Sequence, residues 1–242
     1  MRLLRFPAKT VFKVDDIVKY SDLVAAEGIN LQRGMNYNVT PHYSIFLMSV
    51  RKNAPYDDEW DNKTNTLIYE GHDSHSNWID NPKTADQPMT SPNGTLTENG
   101  KFFIAAQAYK LNLLEESHKI KVYEKVRDGI WCYKGFFNLI DANIVNTGKR
   151  NVFKFYLQPV ESVGIKKEMV IPHNRLIPTE VKVEVWKRDQ GKCVICGATK
   201  NLHYDHDLPF SKGGTSLTAN NVRILCVKCN LKKAGKIYFI VV

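Results

Sequence analysis

Cysteine is scarce in this chain and long apolar runs are missing. Five of the 242 residues are cysteine, and no stretch approaches the roughly 20 consecutive apolar residues that span a bilayer as a helix. The opening residues Met1-Arg-Leu-Leu-Arg-Phe-Pro7 lack the apolar run of a secretory leader. A cytoplasmic setting with no membrane partner is therefore expected. Four of the cysteines fall into two C-x-x-C pairs, a usage that suits a reducing compartment better than a disulfide framework. The fifth, Cys132, lies in an aromatic, strand-like segment and is expected to be a small buried hydrophobe. Internal repeats, low-complexity tracts and heptads are also missing, which sets aside solenoid and coiled-coil architectures.

Acidic residues are the other shortage. Asp and Glu number 25 against 34 Lys and Arg, a formal charge of +9, which favours a polyanionic partner. The excess is uneven. From Pro178 onward there are eleven bases and five acids, so six of the nine net charges lie in about the last quarter of the chain. Nucleic acid is the natural candidate.

The hydrophobic content of 43% is ample for one large core or two modest ones. Up to about residue 163, short β-branched and aromatic runs separated by Gly, Pro and Asn read as strands and turns. The strand candidates are Tyr43–Val50, Thr66–Tyr69, Lys119–Val126, Ile130–Ile140 and Asn151–Gln158, and Gly100–Leu111 reads as a helix. A polar stretch from Gly71 to Asn99 carries no periodicity, and loops of that length in a compact domain are usually functional. Residues 164–178 read as a linker between a domain at 1–163 and a second at 179–242. A helix is expected from Pro178 to Gln190, ending at Gly191. The alternation of Val181, Val183 and Val185 argues locally for strand, but the Glu/Lys content and Trp186 favour helix.

The chemistry concentrates at the C-terminal end. Cys193-x-x-Cys196 and Cys226-x-x-Cys229 place four thiolates at the spacing that surrounds one Zn²⁺ tetrahedrally. Between the pairs lie Asp205-His206, Gly213-Gly214 and Asn221, and Asn230 follows directly. Phosphodiester cleavage needs an activated water, a Lewis acid at the phosphate and stabilisation of the departing oxygen. His206 is a candidate general base. Asp205 supplies a hard oxygen for Mg²⁺ or Mn²⁺, and Asn230 offers a second. Asn221 is suited to pin the intervening loop through bonds to backbone, and the Gly pair to turn it tightly. Lys212, Arg223, Lys232 and Lys233 are the candidate phosphate contacts. His203 reads as a strand histidine, and His72, His75 and His173 as solvated polar residues.

The order Cys193-x-x-Cys196, Asp205-His206, Pro209, Gly213-Gly214, Asn221, Leu225-Cys226-x-x-Cys229-Asn230 and Lys233 resembles the HNH endonuclease family over about 55 residues. The resemblance implies a hairpin-plus-helix (ββα-metal) core with Asp205 and Asn230 on a catalytic divalent metal. It implies His206 as the activator of water and the four cysteines on a structural zinc.

The N-terminal half pairs aromatics with carboxylates, Tyr56-Asp57-Asp58-Glu59-Trp60 and Tyr69-Glu70. Acids repel a DNA backbone, but an Asp or Glu can accept from cytosine N4 and aromatic faces can sandwich an extruded base. Gly28-Ile29, Tyr43-Ser44, Tyr56-Asp57-Asp58, Tyr69-Glu70-Gly71, Asp86-Gln87 and Trp131 to Phe136 follow the order of SRA (YDG) domains, with Tyr133-Lys134-Gly135 where that family has Tyr-Asp-Gly. This resemblance implies a twisted, PUA-like β-barrel that flips a modified cytosine out of duplex DNA. Tyr56 and Tyr69 would sandwich the base, Asp57 or Asp58 would bond its edge, and Gln87 and Asn93 would lie near the DNA.

Together these features give an α+β chain: a β-barrel followed by a small ββα-metal domain. They point to a bacterial or archaeal endonuclease acting on double-stranded DNA that contains 5-methylcytosine or 5-hydroxymethylcytosine. One HNH site cuts one strand, so a homodimer or paired action is expected for double-strand cleavage. The rivals are an HNH nuclease that reads unmodified sequence and a non-catalytic reader with a zinc module.

Overall fold

The computed structural model describes residues 12–31, 33–51, 53–160, 177–208 and 216–233. The expected linker lies almost wholly outside them, as do Pro209, Lys212, Gly213 and Gly214. Ten strands and four α-helices follow in the order β1 (Asp16–Lys19), α1 (Tyr20–Glu27), β2 (Met35–Thr40), β3 (Tyr43–Met48), β4 (Glu59–Asp61), β5 (Thr66–Glu70), α2 (Glu98–Lys110), β6 (His118–Arg127), β7 (Ile130–Asn146), β8 (Asn151–Pro159), α3 (Thr179–Arg188), β9 (Leu202–His206), β10 (Val222–Cys226) and α4 (Val227–Lys233). The β-branched and aromatic runs formed the strands expected of them, and the 71–99 stretch carries an isolated bridge between Thr90 and Leu96 before α2 begins at Glu98. No helix among the described residues is long and apolar enough to cross a membrane.

All ten strands belong to one sheet, with the path β10-β9-β1-β7-β6-β3-β2 and a branch in which β8 joins β7 to β5 and β5 pairs β4. Only β3 and β6 run parallel. The 17-residue β7 makes the branch possible: its first half pairs β6 and β1, its second half pairs β8. A strand this long bends, so the inner faces converge. Phe46, Leu67, Tyr69, Val122, Phe137, Phe153 and Phe155 meet around Phe102 of α2 in one buried core. Among the described residues no ladder joins β2 to β5. Helix α2 packs on β7, β2 and β8, and Glu98 at its start accepts the backbone N–H of Tyr37 in β2 at 2.7 Å. The barrel is therefore open on one side. Cys132 is fully buried, as its setting predicted.

Helix α3 resolves the valine alternation. Thr179, Val181, Lys182 and Val185 are its buried residues, a helical spacing. It ends at Arg188, short of the expected stop at Gly191. Gly191 sits at φ +63°, and a Cβ there would lie 2.5 Å from the Trp186 ring, so both backbone conformation and packing demand glycine.

A second core lies between the two halves. It joins Val126 and Cys132 of the barrel to Val181, Val185, Leu202, Tyr204 and Ile224. At its edge the Glu124 carboxylate, 3% exposed, accepts from Lys182 Nζ at 2.6 Å and lies 3.5 Å from Lys134 Nζ. The Thr179 hydroxyl donates to the same carboxylate. Burial opposes the charge on Glu124, but Lys182 and Lys134 outweigh it and hold the carboxyl below its usual range.

Candidate metal centre and base pocket

Strands β9 and β10 form an antiparallel hairpin in which Asp205 faces Arg223 and His206 faces Val222, and α4 follows directly. This is the hairpin-plus-helix core expected from the sequence. The four cysteines meet at its base, with their sulfurs all within 4.8 Å of one another. The Cys193 turn closes through Gly197 N–H to the Cys193 carbonyl at 2.8 Å, and Val194 N–H reaches Ile224 O of the hairpin at 3.0 Å. Three of the cysteines are buried and Cys196 is exposed. Four soft sulfur donors converging at this range fit Zn²⁺.

His206 ends β9, and its Nε2 lies 2.9 Å from the Ser216 hydroxyl. Ser216 is 1% exposed, so it orients the imidazole from a fixed position. Nothing in the sequence singled out this serine, because its contact spans the loop that closes the hairpin. Asn221 does what its side chain suits it for: its Oδ1 accepts Leu208 N–H at 2.8 Å and its Nδ2 donates to Leu208 O at 3.2 Å. It holds the loop leaving His206.

Two candidate phosphate contacts are corrected here. Lys233 is buried, and its ammonium donates to Asp205 Oδ2 and the His206 carbonyl. Arg223 has its guanidinium paired with Asp207. Both were read as DNA-facing from charge alone, but their strand and helix positions turn them inward. Lys232 and Lys228 are exposed on α4. Asn230 precedes Lys233 by three residues on α4, so the two are neighbours along the helix surface. The Lys233 ammonium thus occupies one oxygen of Asp205, and Asp205 and Asn230 both carry hard oxygen donors of the kind that Mg²⁺ or Mn²⁺ takes.

The N-terminal candidates surround a polar pocket of about 350 Å³ lined by Tyr56, Asp57, Asp58, Glu70, Lys83 and Arg150, among others. Asp58 is buried. Its two oxygens accept Ser49 N–H and Glu70 N–H, each at 3.0 Å, and burial pushes its carboxyl up to about 7. It is a tie between strands. Asp57 has a side chain 84% exposed, with Lys154 Nζ at 3.5 Å. Glu70 is also committed: Gln87 and Arg150 reach one oxygen, Lys154 and the Asp57 N–H the other, all at 3.2–3.3 Å.

Tyr69 departs from its expected role. Its ring is 1% exposed and stacks on Phe46 at 4.2 Å, because it lies on the inward face of β5. It presents no open face to a base. His72, read from sequence as solvated, instead stacks on Tyr56 at 5.0 Å and 17°, and its Nε2 meets the Tyr69 hydroxyl at 3.1 Å. Burial lowers its pKa to about 4, so the ring is neutral near pH 7. Lys83 Nζ lies 4.3 Å from the Tyr56 ring centroid. Gln87 is likewise corrected: it is buried, donating to Gly71 O at 2.7 Å and accepting from Phe153 N–H at 2.8 Å, so it braces the pocket instead of facing DNA. Asn93 caps an exposed turn, where its Oδ1 accepts from Thr95 N–H at 3.1 Å.

Residues 193–236 match the family model described as HNH endonuclease. No curated protein sequence matches the chain. Among solved structures, the SUVH5 SRA domain in complex with hemi-methylated CG DNA is 20% identical, with a TM-score of 0.44 over 64% of this chain and 93% of that one. The same domain bound to fully hydroxymethylated CG DNA is 19% identical at 0.45, with the same coverage. The DNA modification-dependent restriction endonuclease AspBHI is 18% identical at 0.42, over 63% of this chain and 77% of that one. The β9–β10–α4 hairpin and helix lie within the residues that match the HNH endonuclease model.

Proposed function

We propose that the protein is a modification-dependent DNA endonuclease, in which residues 1–163 recognise a flipped 5-substituted cytosine and residues 179–242 hydrolyse a nearby phosphodiester bond. The observation that carries the cutting is the β9–β10–α4 unit, which holds Asp205, His206 and Asn230 beside a four-cysteine cluster. In the reaction, His206 takes the proton of the attacking water while Ser216 fixes the ring. Lys233 neutralises Asp205 until the divalent ion binds. A divalent ion on Asp205 and Asn230 would supply Lewis acidity at the phosphate and stabilise the departing 3′ oxygen. Asn221 positions the loop behind His206.

For the base, the polar pocket at Tyr56 is the proposed receptor. Asp57 accepts from cytosine N4, since Asp58 and Glu70 are occupied by backbone and ion pairs. Tyr56 supplies a stacking face once Lys83 leaves its contacts with Asp73 and the Pro55 carbonyl, with His72 backing the ring. The +9 charge supports duplex DNA as partner. Double-strand cleavage would take a homodimer or two complexes, and the setting would be the cytoplasm of a bacterium or archaeon.

The test is a cleavage panel with Mg²⁺ or Mn²⁺ on otherwise identical duplexes carrying cytosine, 5-methylcytosine, 5-hydroxymethylcytosine or its glucosylated form. Cleavage restricted to modified duplexes and lost in His206→Ala supports the reading. Equal cleavage of all duplexes would favour an HNH nuclease that reads unmodified sequence.

A further inference from the structure

The strand that carries Asp205 and His206 is hydrogen-bonded into the same sheet as the base pocket. β1 lies early in the chain, yet it pairs on one side with β7 of the barrel (Ile17 to Cys132, Val18 to Trp131) and on the other with β9 (Asp16 to His203, Ile17 to Leu202). Asp15 extends the bridge: its N–H donates to Tyr133 O at 2.8 Å and its carbonyl accepts Tyr204 N–H at 3.2 Å. It does so at φ 70°, a left-handed conformation uncommon for a residue other than glycine. Such strain persists where the surroundings over-determine it.

Side chains lock the same joint. Lys182 of α3 is fully buried, with the Glu124 carboxylate of β6 at 2.6 Å and that of Asp15 at 4.0 Å. The Tyr204 hydroxyl donates to Lys182 O at 3.0 Å. A hinge motion between the halves would part Lys182 from Glu124 and leave buried charges uncompensated, a costly outcome. Asp58 ties this joint to the base pocket, because it lines both that pocket and a cavity of about 280 Å³ that also touches Glu124 and Thr179.

We infer that β1 and the Glu124–Lys182 pair are positioning elements that hold the cutting site at a set offset from the modified base, so that the molecule measures its cut. The inference rests on the proposed function for its consequence, and on the joint alone for its mechanics. Two measurements on the full chain separate these. Fluorescent donor and acceptor groups, introduced as noncanonical amino acids at the exposed Lys63 and Lys200, report the spacing of the halves. A single narrow distance, the same with and without modified duplex, is expected. A broad or shifting distance would overturn the inference whether or not the protein cuts. On duplexes with one modified cytosine, the cut is expected at one dominant offset per strand. In Lys182→Met that offset should spread over several phosphates while affinity for the modified duplex is unchanged. Scattered cuts by the unaltered chain would refute the ruler. A narrow distance with no cleavage would refute the endonuclease reading and leave the rigid joint standing.

Discussion

Glu124→Gln is the substitution that the buried joint should tolerate least. Four charges meet there, Asp15 and Glu124 against Lys134 and Lys182, and they balance. Asp15 is the most exposed of them, at 15%, while the other three side chains are at 5% or below. Removing the Glu124 charge leaves two buried ammonium groups facing one partly solvated carboxylate, whose oxygen is 4.0 Å from each. Breaking a buried pair from one side costs about 3–5 kcal/mol. Asp15 offsets some of this, so a loss of about 3 kcal/mol is expected, a large share of the ~5–15 kcal/mol that holds a typical domain together. Lys182→Met should cost less, about 1.5–3 kcal/mol, because Glu124 then keeps Lys134 and Asp15 can be hydrated. Equilibrium denaturation in urea, with both single variants and the double variant, measures the difference. A Glu124→Gln loss below that of Lys182→Met would refute the charge balance argued here.

Four further outcomes follow from the sites. Elemental analysis of the unaltered protein should find one zinc per chain, and Cys226→Ser should abolish it and lower the melting temperature, since structural zinc contributes directly to folding. Asp57→Ala should weaken binding to a modified duplex with little change in stability. Asp58→Ala should destabilise the barrel, because it orphans the buried N–H groups of Ser49 and Glu70; calorimetry beside a binding titration separates the two. His72 gives a pH signature. Its folded pKa of about 4 lies below the ordinary 6.5, so the unfolded chain takes up the proton first. Stability is full above about pH 6.5 and falls by about 3 kcal/mol as the pH drops toward 4. In His72→Phe that loss should be absent, and an unchanged slope would exclude His72 as its source.

The HNH elements were legible in the sequence because their chemistry is local: paired cysteines, Asp205-His206 and Asn230 each sit in short segments whose spacing is the signal. The longer barrel strands were legible from runs of β-branched and aromatic residues. What escaped was direction. The SRA resemblance gives Tyr69 and Gln87 base- and DNA-facing roles and charge gives Arg223 and Lys233 theirs, whereas the folded chain turns each of them inward. His72 escaped for the opposite reason, as a polar loop residue drawn against Tyr56 by stacking. The four-residue β1 carries no periodic signal of its own, and its partners lie more than a hundred residues away. Only the assembled sheet gives it meaning.

The central claim, that this chain cuts DNA because a cytosine in it is modified, is tested most directly by one comparison. Matched duplexes with and without 5-substituted cytosine are incubated with the unaltered protein and with His206→Ala in Mg²⁺ or Mn²⁺. The account predicts strand breaks only in the modified duplex and only with His206 present. Breaks of equal yield in both duplexes, or none in either, would contradict it.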